Sequence, residues 1–390
     1  MARKLATVRR ISEIIPIEGA DVIELAKIDG WQCVVKKGEF KVGDLGMYFE
    51  IDSFVDTSQA PFAFLEKNAK EWNGKRGAII RTMKLKGQIS QGLLLPISWF
   101  EKHLYFRFGG FSLLRMSDET LLDKDFTDAI GVLKYEKIVE DVEERKGSGW
   151  FHRFLLEHVS RENRVRIFAV LNVFLPQKKR FRNQRISTFP SFIPKTDEER
   201  IQNIFSKVKS VHAGWYIPTL KLDGSSATYY VKNKEFGHCS RNLKLGLDDG
   251  SNFSKMAKKY NFPELFAEMP LNIALQFELM GPGIQGNKEK FEDHDLYLFK
   301  VWEIDERRYY NPTERAILVN KLRDLGCDLK QVPHYDKVHT DDFPTVESFL
   351  EFAEGPSLVN PVREGIVFVK EDGSFSFKAI SNKFLLKNGE

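Results

Sequence analysis

Turn signals recur at close spacing through the first hundred residues, and that punctuation leaves room only for short strands. "VIELAKI", "WQCVV", "LGMYFEI", "GAIIRTMKL" and "QGLLLPI" are β-rich runs separated by "DG", "KKGEFKVGD" and "KGQ". Short strands joined by tight turns fold into a small barrel or sandwich. "DFTDAIGVLKYE" (Asp125 to Glu136) reads as a short helix followed by a closing strand, so the β domain is expected to span residues 1–138. "WFEKHLYFRFGGFSLLRM" breaks the pattern and is expected to be an inserted loop near residues 99–117.

From Phe189 onward the texture changes. "FPSFIPKTDEERIQNIFSKV" places Thr196 ahead of an acidic turn, which predicts a helix start there. "YIPTLKLDG", "SATYYV", "IALQFELMG", "LYLFKVWEI", "REGIVFVK" and "SFSFKAIS" read as strands, and "FSKMAKKY" and "NPTERAILVNKLRDLG" as helices. This mixture predicts an α+β domain over residues 188–390. At 390 residues the chain exceeds one ordinary core, which agrees with two domains.

Between them, residues 139–187 read as a basic linker or insertion. From Arg145 to Arg185 there are eleven Lys/Arg and two acids, a balance of +9, whereas the whole chain carries only +4. That segment is the first place to expect an anionic partner. No apolar run reaches membrane-spanning length, and the N-terminus lacks a signal peptide's apolar core. Cys33, Cys239 and Cys327 are too few and too scattered for a disulfide framework or a zinc site. A protein of the reducing cytoplasm, without a membrane partner, is therefore expected.

Chemistry concentrates in "TLKLDGSSATYY". On a strand, residues i and i+2 share a face, so Lys221 and Asp223 project together while Leu220 and Leu222 point away. Gly224 then permits a close backbone approach. A K-x-D-G string alone arises by chance in about one chain in ten of this length. Its company is more telling. "QFELMG" puts Glu278 on a strand, "REGIVFV" puts Glu364 at a strand start, "SFKAISNKF" supplies Lys378 and Lys383, and "SRN" supplies Arg241 and Asn242.

In this order the set resembles the nucleotidyltransferase motifs of the covalent ligase and capping-enzyme superfamily. Lys221-x-Asp223-Gly224 looks like motif I, Arg241 and Asn242 like Ia, Glu278 like III, "LYLFKVW" like IIIa, Glu364-Gly365 like IV and Lys378 to Lys383 like V. The resemblance implies that Lys221 attacks the α-phosphate of a nucleoside triphosphate to form a lysyl-nucleotide. It implies that Asp223, Glu278 and Glu364 hold Mg²⁺ or Mn²⁺ through water, and that Lys378 and Lys383 clamp the α-phosphate. Arg241, with Asn242, would meet ribose or the acceptor's 5′-phosphate. Phe299 would stack on the base, with Thr219 and Leu220 beside it. Because an amine must be neutral to attack, Lys378 and the cation are expected to push the proton off Lys221.

The order of domains narrows the branch. DNA ligases and capping enzymes carry an OB domain after motif V, and here the sequence ends shortly after Lys383. "MYFEIDSFVD", "RTMKLKGQISQGLLLP", "GVLKYE" and "FPSFIPKTDEERIQNI" resemble the RNA ligase 5 family, apart from the stretches near 99–117 and 139–187. The implied fold is multidomain: an all-β OB-type barrel followed by an α+β nucleotidyltransferase domain of the ATP-grasp-like ligase type. The implied activity is ATP-dependent joining of 3′-OH to 5′-phosphate RNA ends at nicks in duplexes, by a monomer. Arg81, Lys84, Lys86, Tyr48 and Phe49 are the OB-domain candidates for RNA contact. A GTP-using capping-type transferase and a catalytically silent RNA-binding protein on a ligase scaffold are the alternatives.

Overall fold

The computed structural model describes residues 3–107, 112–135, 187–267 and 269–388. The basic segment Arg145–Arg185, and with it nearly all of the 139–187 linker, lies outside them.

The N-terminal domain is built on β1 (Ala6–Pro16), β2 (Ile23–Ile28), β3 (Trp31–Lys36) and β4 (Leu45–Phe49). They form a five-stranded sheet with β10 (Leu93–Pro96) in the order β10-β4-β1-β2-β3. A second sheet joins β11 (Leu133–Lys134), β5 (Ser53–Val55), β7 (Lys75–Ile79) and β6 (Lys70–Trp72), and β8 (Thr82–Leu85) and β9 (Gln88–Gln91) make a separate hairpin. The run "GAIIRTMKL" is thus two strands. The long first strand, absent from the sequence reading, is the centre of the sheet: β1 pairs with both β2 and β4 and shifts register between Ile11 and Glu13. Tyr48 and Phe49 are fully buried in the core of this domain, so neither is an exposed platform for RNA. The stretch near 99–117 contributes the helix Glu101–Arg107, and it seals the barrel with Phe100, Leu104 and Leu113.

The second domain consists of two antiparallel-rich sheets. One, eight-stranded, runs β12 (Ser187–Thr188), β17 (Leu243–Lys244), β16 (Glu235–Cys239), β15 (Ser225–Lys232), β18 (Ile273–Met280), β19 (Asp295–Glu303) and β20 (Arg308–Tyr309), with β21 (Lys330–Gln331) also on β19. The other runs β13 (Glu199–Arg200), β24 (Ser376–Ile380), β23 (Gly365–Lys370), β14 (Trp215–Lys221) and β22 (Val338–His339). The helices Asn252–Lys259 and Pro312–Asp324 fall where expected.

The helix expected from Thr196 begins only at Ile201. Tertiary ion pairing overrides the capping signal: Asp197 pairs with Lys134 and Arg241, Glu198 pairs with Lys300, and Glu199–Arg200 adds to the sheet beside β24. The two domains meet at this segment. Arg3 and Arg200 converge on Glu50 and Asp52, at 2.6–3.5 Å. Asn203 accepts from Trp31 Nε1 at 2.8 Å and donates to Glu50 at 3.1 Å. Ile51 packs with Ile380 and Leu385.

Replacing Asn203 with alanine strands the Trp31 indole N–H at this interface. It should cost about 1–3 kcal/mol of stability. Denaturant unfolding reads this directly, and an unchanged midpoint would mean that the interface does not hold in solution.

Candidate active site at the seam of two sheets

Lys221 is the last residue of β14, and the register of β14 on β23 sets Gly365 opposite it. Glu364 therefore arrives beside the amine, and Lys221 Nζ donates to Glu364 Oε2 at 2.7 Å. Past Lys221 the chain leaves one sheet and enters β15 of the other. Gly224 makes that crossing possible: a Cβ there would sit 2.5 Å from Met280 Sδ and 2.6 Å from the Leu279 carbonyl. The Gly224 amide donates to Glu278 Oε1 at 3.1 Å, which holds the third carboxylate at the seam. Behind the site, Leu220 and Leu222 are buried with Met280, Tyr297 and Val332, and Phe299 packs against the same cluster.

Electrostatically, the site is three carboxylates around one amine. Burial alone would lower the Lys221 pKa, but Glu364, Glu278 and Asp223 outweigh it, and the net shift is upward. Lys221 is therefore held as an ammonium by the carboxylates beside it. Lys378 yields instead: burial, together with Arg200, Arg3 and Lys221, lowers its pKa to about 7. Glu278 is raised to about 8, by burial first and then by repulsion from Glu364 and Asp223, with Lys221 opposing.

Asp223 is paired with Lys288, which also stands 4.5 Å from the Phe384 ring centroid. Lys288 was missed in the sequence. Its only signal is the turn-rich "GPGIQGNKEK" directly after Glu278, where Gln285, Asn287 and Lys290 adopt positive φ. Its neighbour Glu289 accepts from the amides of Val359 and Asn360, at 2.8 and 3.1 Å, and so ties this loop to the one leading into Glu364.

Of the remaining candidates Arg241 lies near enough to stabilise the Glu278 charge, and the others engage elsewhere in the fold. Arg241 pairs with Asp197 at 2.5 Å and Asn242 accepts from Lys195 at 2.9 Å. The Asp197 carboxyl is driven below the usual range: burial would raise it, but Arg241, Lys134 and Lys378 prevail. Thr219 is buried and donates to the Val367 carbonyl at 3.1 Å, and the Leu220 amide donates to the Pro333 carbonyl at 2.8 Å, so both are engaged within the fold. Lys383 is 74% exposed, and the contact it makes is to Glu354 at 3.9 Å, outside the set around Lys221. Among the described residues, no three His, Cys, Asp or Glu side chains already converge to hold an ion directly.

Comparison with known proteins agrees with this geometry. An OB-fold domain model matches residues 5–97, and an RNA ligase model matches residues 215–383. No curated protein matches the chain. Among solved structures, a Naegleria gruberi RNA ligase variant with ATP and Mn is 37% identical, with a TM-score of 0.78 over 98% of each chain. Another variant, with AMP and Mn, is 38% identical with a TM-score of 0.79 over 98% of each chain. The same ligase with PPi is 37% identical, with a TM-score of 0.78 over 98% of each chain. Similarity at this level runs through both domains and the seam between the sheets, and the chain belongs to the RNA ligase family.

Proposed function

We propose that this protein is an ATP-dependent ligase that joins 3′-OH and 5′-phosphate RNA ends at nicks in duplexes, acting as a monomer in the cytoplasm. The observation that carries the reading is the strand-end amine of Lys221, held against Glu364 inside a ring of carboxylates. It occurs in a chain similar along its length to an RNA ligase seen with ATP, AMP and PPi.

Lys221 Nζ, once deprotonated, attacks the α-phosphorus of ATP. The bond to the pyrophosphate oxygen breaks, and AMP remains on the lysine as a phosphoramidate. The AMP then passes to the RNA 5′-phosphate, and the 3′-OH displaces it to form the phosphodiester. Lys378 lies close enough to feel the Lys221 charge, and its position suits a clamp on the α-phosphate. Arg200, in register with Lys378 across β13 and β24, turns Nε and Nη2 to Glu50 and Asp52, but its Nη1 is buried without a hydrogen-bond acceptor among the described residues. Buried donors of this kind fit an anionic group, and the leaving phosphates are that group here. Phe299, partly buried at the edge of the apolar cluster behind the lysine, suits the base.

The carboxylates fit a divalent cation. Glu278 is raised to about 8 by burial first and then by the two carboxylates beside it, and a cation relieves that repulsion. Their spread over separate strand ends suits contact through water. Such an ion would offset charge on the carboxylates and on the transferring phosphoryl group.

Lys221→Ala should lose covalent label from α-labelled ATP entirely while remaining folded. Lys221→Arg should fail as well, because a guanidinium keeps its proton. Label from GTP but not ATP would overturn the ATP assignment, and label from neither would favour the silent RNA-binding protein. Glu364→Ala should slow adenylylation by about 10–100-fold while changing ATP binding far less, as single-turnover and binding measurements would separate.

A pH test follows from Glu278. Its folded pKa is pushed up to about 8 from the ordinary glutamate value of 4.5, so the folded state keeps a proton that the unfolded chain releases. Its contribution to stability is therefore greatest below pH 4.5 and is lost as pH rises toward 8. In metal-free buffer, Glu278→Gln should gain melting temperature relative to wild type across that window. A difference independent of pH would contradict the assigned environment.

A further inference from the structure

The hairpin β8–β9 and the C-terminal helix Asn382–Asn388 come from opposite ends of the chain, yet they pack together. Gln91 Nε2, at the end of the hairpin, donates to Asn382 Oδ1 at 2.8 Å. Residues 81–91 hold Arg81, Lys84 and Lys86 and no acid, and residues 381–388 hold Lys383 and Lys387 and no acid. Lys84, Lys86, Lys383 and Lys387 are exposed. Among the described residues, Arg81, Lys84, Lys86 and Lys387 have no ion-pair partner, and Lys383 has only the 3.9 Å approach to Glu354.

The hairpin is a stiff mount. Lys86 and Gly87 both take positive φ, at 47° and 82°, which is the two-residue turn that matches strand twist. On the helix, Lys383 and Lys387 are one turn apart and share a face. The helix also reaches the catalytic lysine: Phe384 lies under the Lys288 ammonium, and Lys288 pairs with Asp223, two residues beyond Lys221. A cationic, acid-poor surface thus crosses from the first domain to the second and ends one helix away from the nucleophile.

We propose that the face formed by the β8–β9 hairpin and the C-terminal helix is where the RNA phosphodiester backbone lies as it runs into the active site. The proposal rests on the ligase reading above and places Lys383 on the RNA rather than on the nucleotide. Unmatched lysines on a rigid surface fit regularly spaced phosphates without reading bases. Each contact releases counterions, so binding weakens as salt is raised.

The test uses the full chain and a nicked RNA duplex with 3′-OH and 5′-phosphate ends. Lys84→Glu with Lys86→Glu, and separately Lys387→Glu, should each weaken binding by about tenfold or more at low salt. Each should also flatten the plot of log affinity against log salt by about 0.7–0.9 per lost phosphate contact. Lys67→Glu with Lys70→Glu, an equal charge change beside β6, should bind like wild type. Autoadenylylation with α-labelled ATP should be unchanged in all of them. Equal affinity and salt slope in the hairpin, helix and wild-type proteins would overturn the proposal. So would losses matched by the β6 control, or a parallel loss of adenylylation. Failure of the wild type to take label from ATP would sink the ligase reading and this proposal with it. That failure is scored in a different assay from RNA binding, so the two cannot be confused.

Discussion

The contact between Lys221 and Glu364 is the interaction around which the second domain is arranged. It needs β14 and β23 in one register, because a one-residue slip would turn Lys221 to the face occupied by Leu220 and Leu222. It also needs the chain to leave that sheet immediately, so that Asp223 and Glu278 come to the same place from the other one. Gly224 permits the crossing where a side chain would collide with Met280 and the Leu279 carbonyl. Gathering three carboxylates is unfavourable, and the fold offsets it with its own cations: Lys221 on Glu364 and Lys288 on Asp223. Glu278 has the Gly224 amide and the more distant charges of Lys221 and Arg241, which do not offset its burial and the neighbouring carboxylates, and its pKa is raised.

A second set of charges decides how the domains sit. Between Asp197 and Asn203 the chain sends side chains in two directions. Asp197 and Glu198 hold Arg241 and Lys300 within the second domain, and Arg200 and Asn203 reach Glu50 and Trp31 of the first. Buried ion pairs of this kind add little net stability, because desolvation offsets much of the attraction. They do penalise misplacement, since a displaced Arg200 would remove one of the two guanidinium groups that face buried Glu50 and partly buried Asp52. The docking is thus specified more by charge matching than by the small apolar contact of Ile51 with Ile380 and Leu385.

Much of this was legible in the sequence. Alternation set the faces of Lys221 and Glu278, because strand faces follow from a period of two, and the order of the motifs added Asp223 and Glu364, which lie just beyond the strand ends. The helix Pro312–Asp324 was legible because Asn311 and Glu314 form a local capping box. What escaped depends on partners distant in sequence. Thr196 and its acids look like a helix start until Lys134, Arg241 and Lys300 are known to lie against them. Lys288 is one lysine among many until Asp223 is beside it. Tyr48 and Phe49 look like an aromatic platform for bases, yet the first domain needs both rings for its own interior. Short-range rules see the backbone pattern and not the charges that tertiary structure brings to it.

The two lysines of the site are driven in opposite directions, and the same geometry accounts for both. Lys221 faces carboxylates and keeps its proton; burial, then Arg200, Arg3 and Lys221, push Lys378 down to about 7. Groups whose environments separate their pKa values are suited to different roles in one reaction. Lys378 regains its proton when an anionic phosphate settles against it, because the charged form then has a partner. Lys221 loses the stabilisation of its proton when positive charge shares the carboxylates with it. On the proposed ligase mechanism, the free site therefore holds each lysine in the state opposite to the one nucleotidyl transfer needs. The same pair of ligands, a phosphate and a cation, would correct both, so an amine this close to carboxylates would stay protonated and unreactive until both are present.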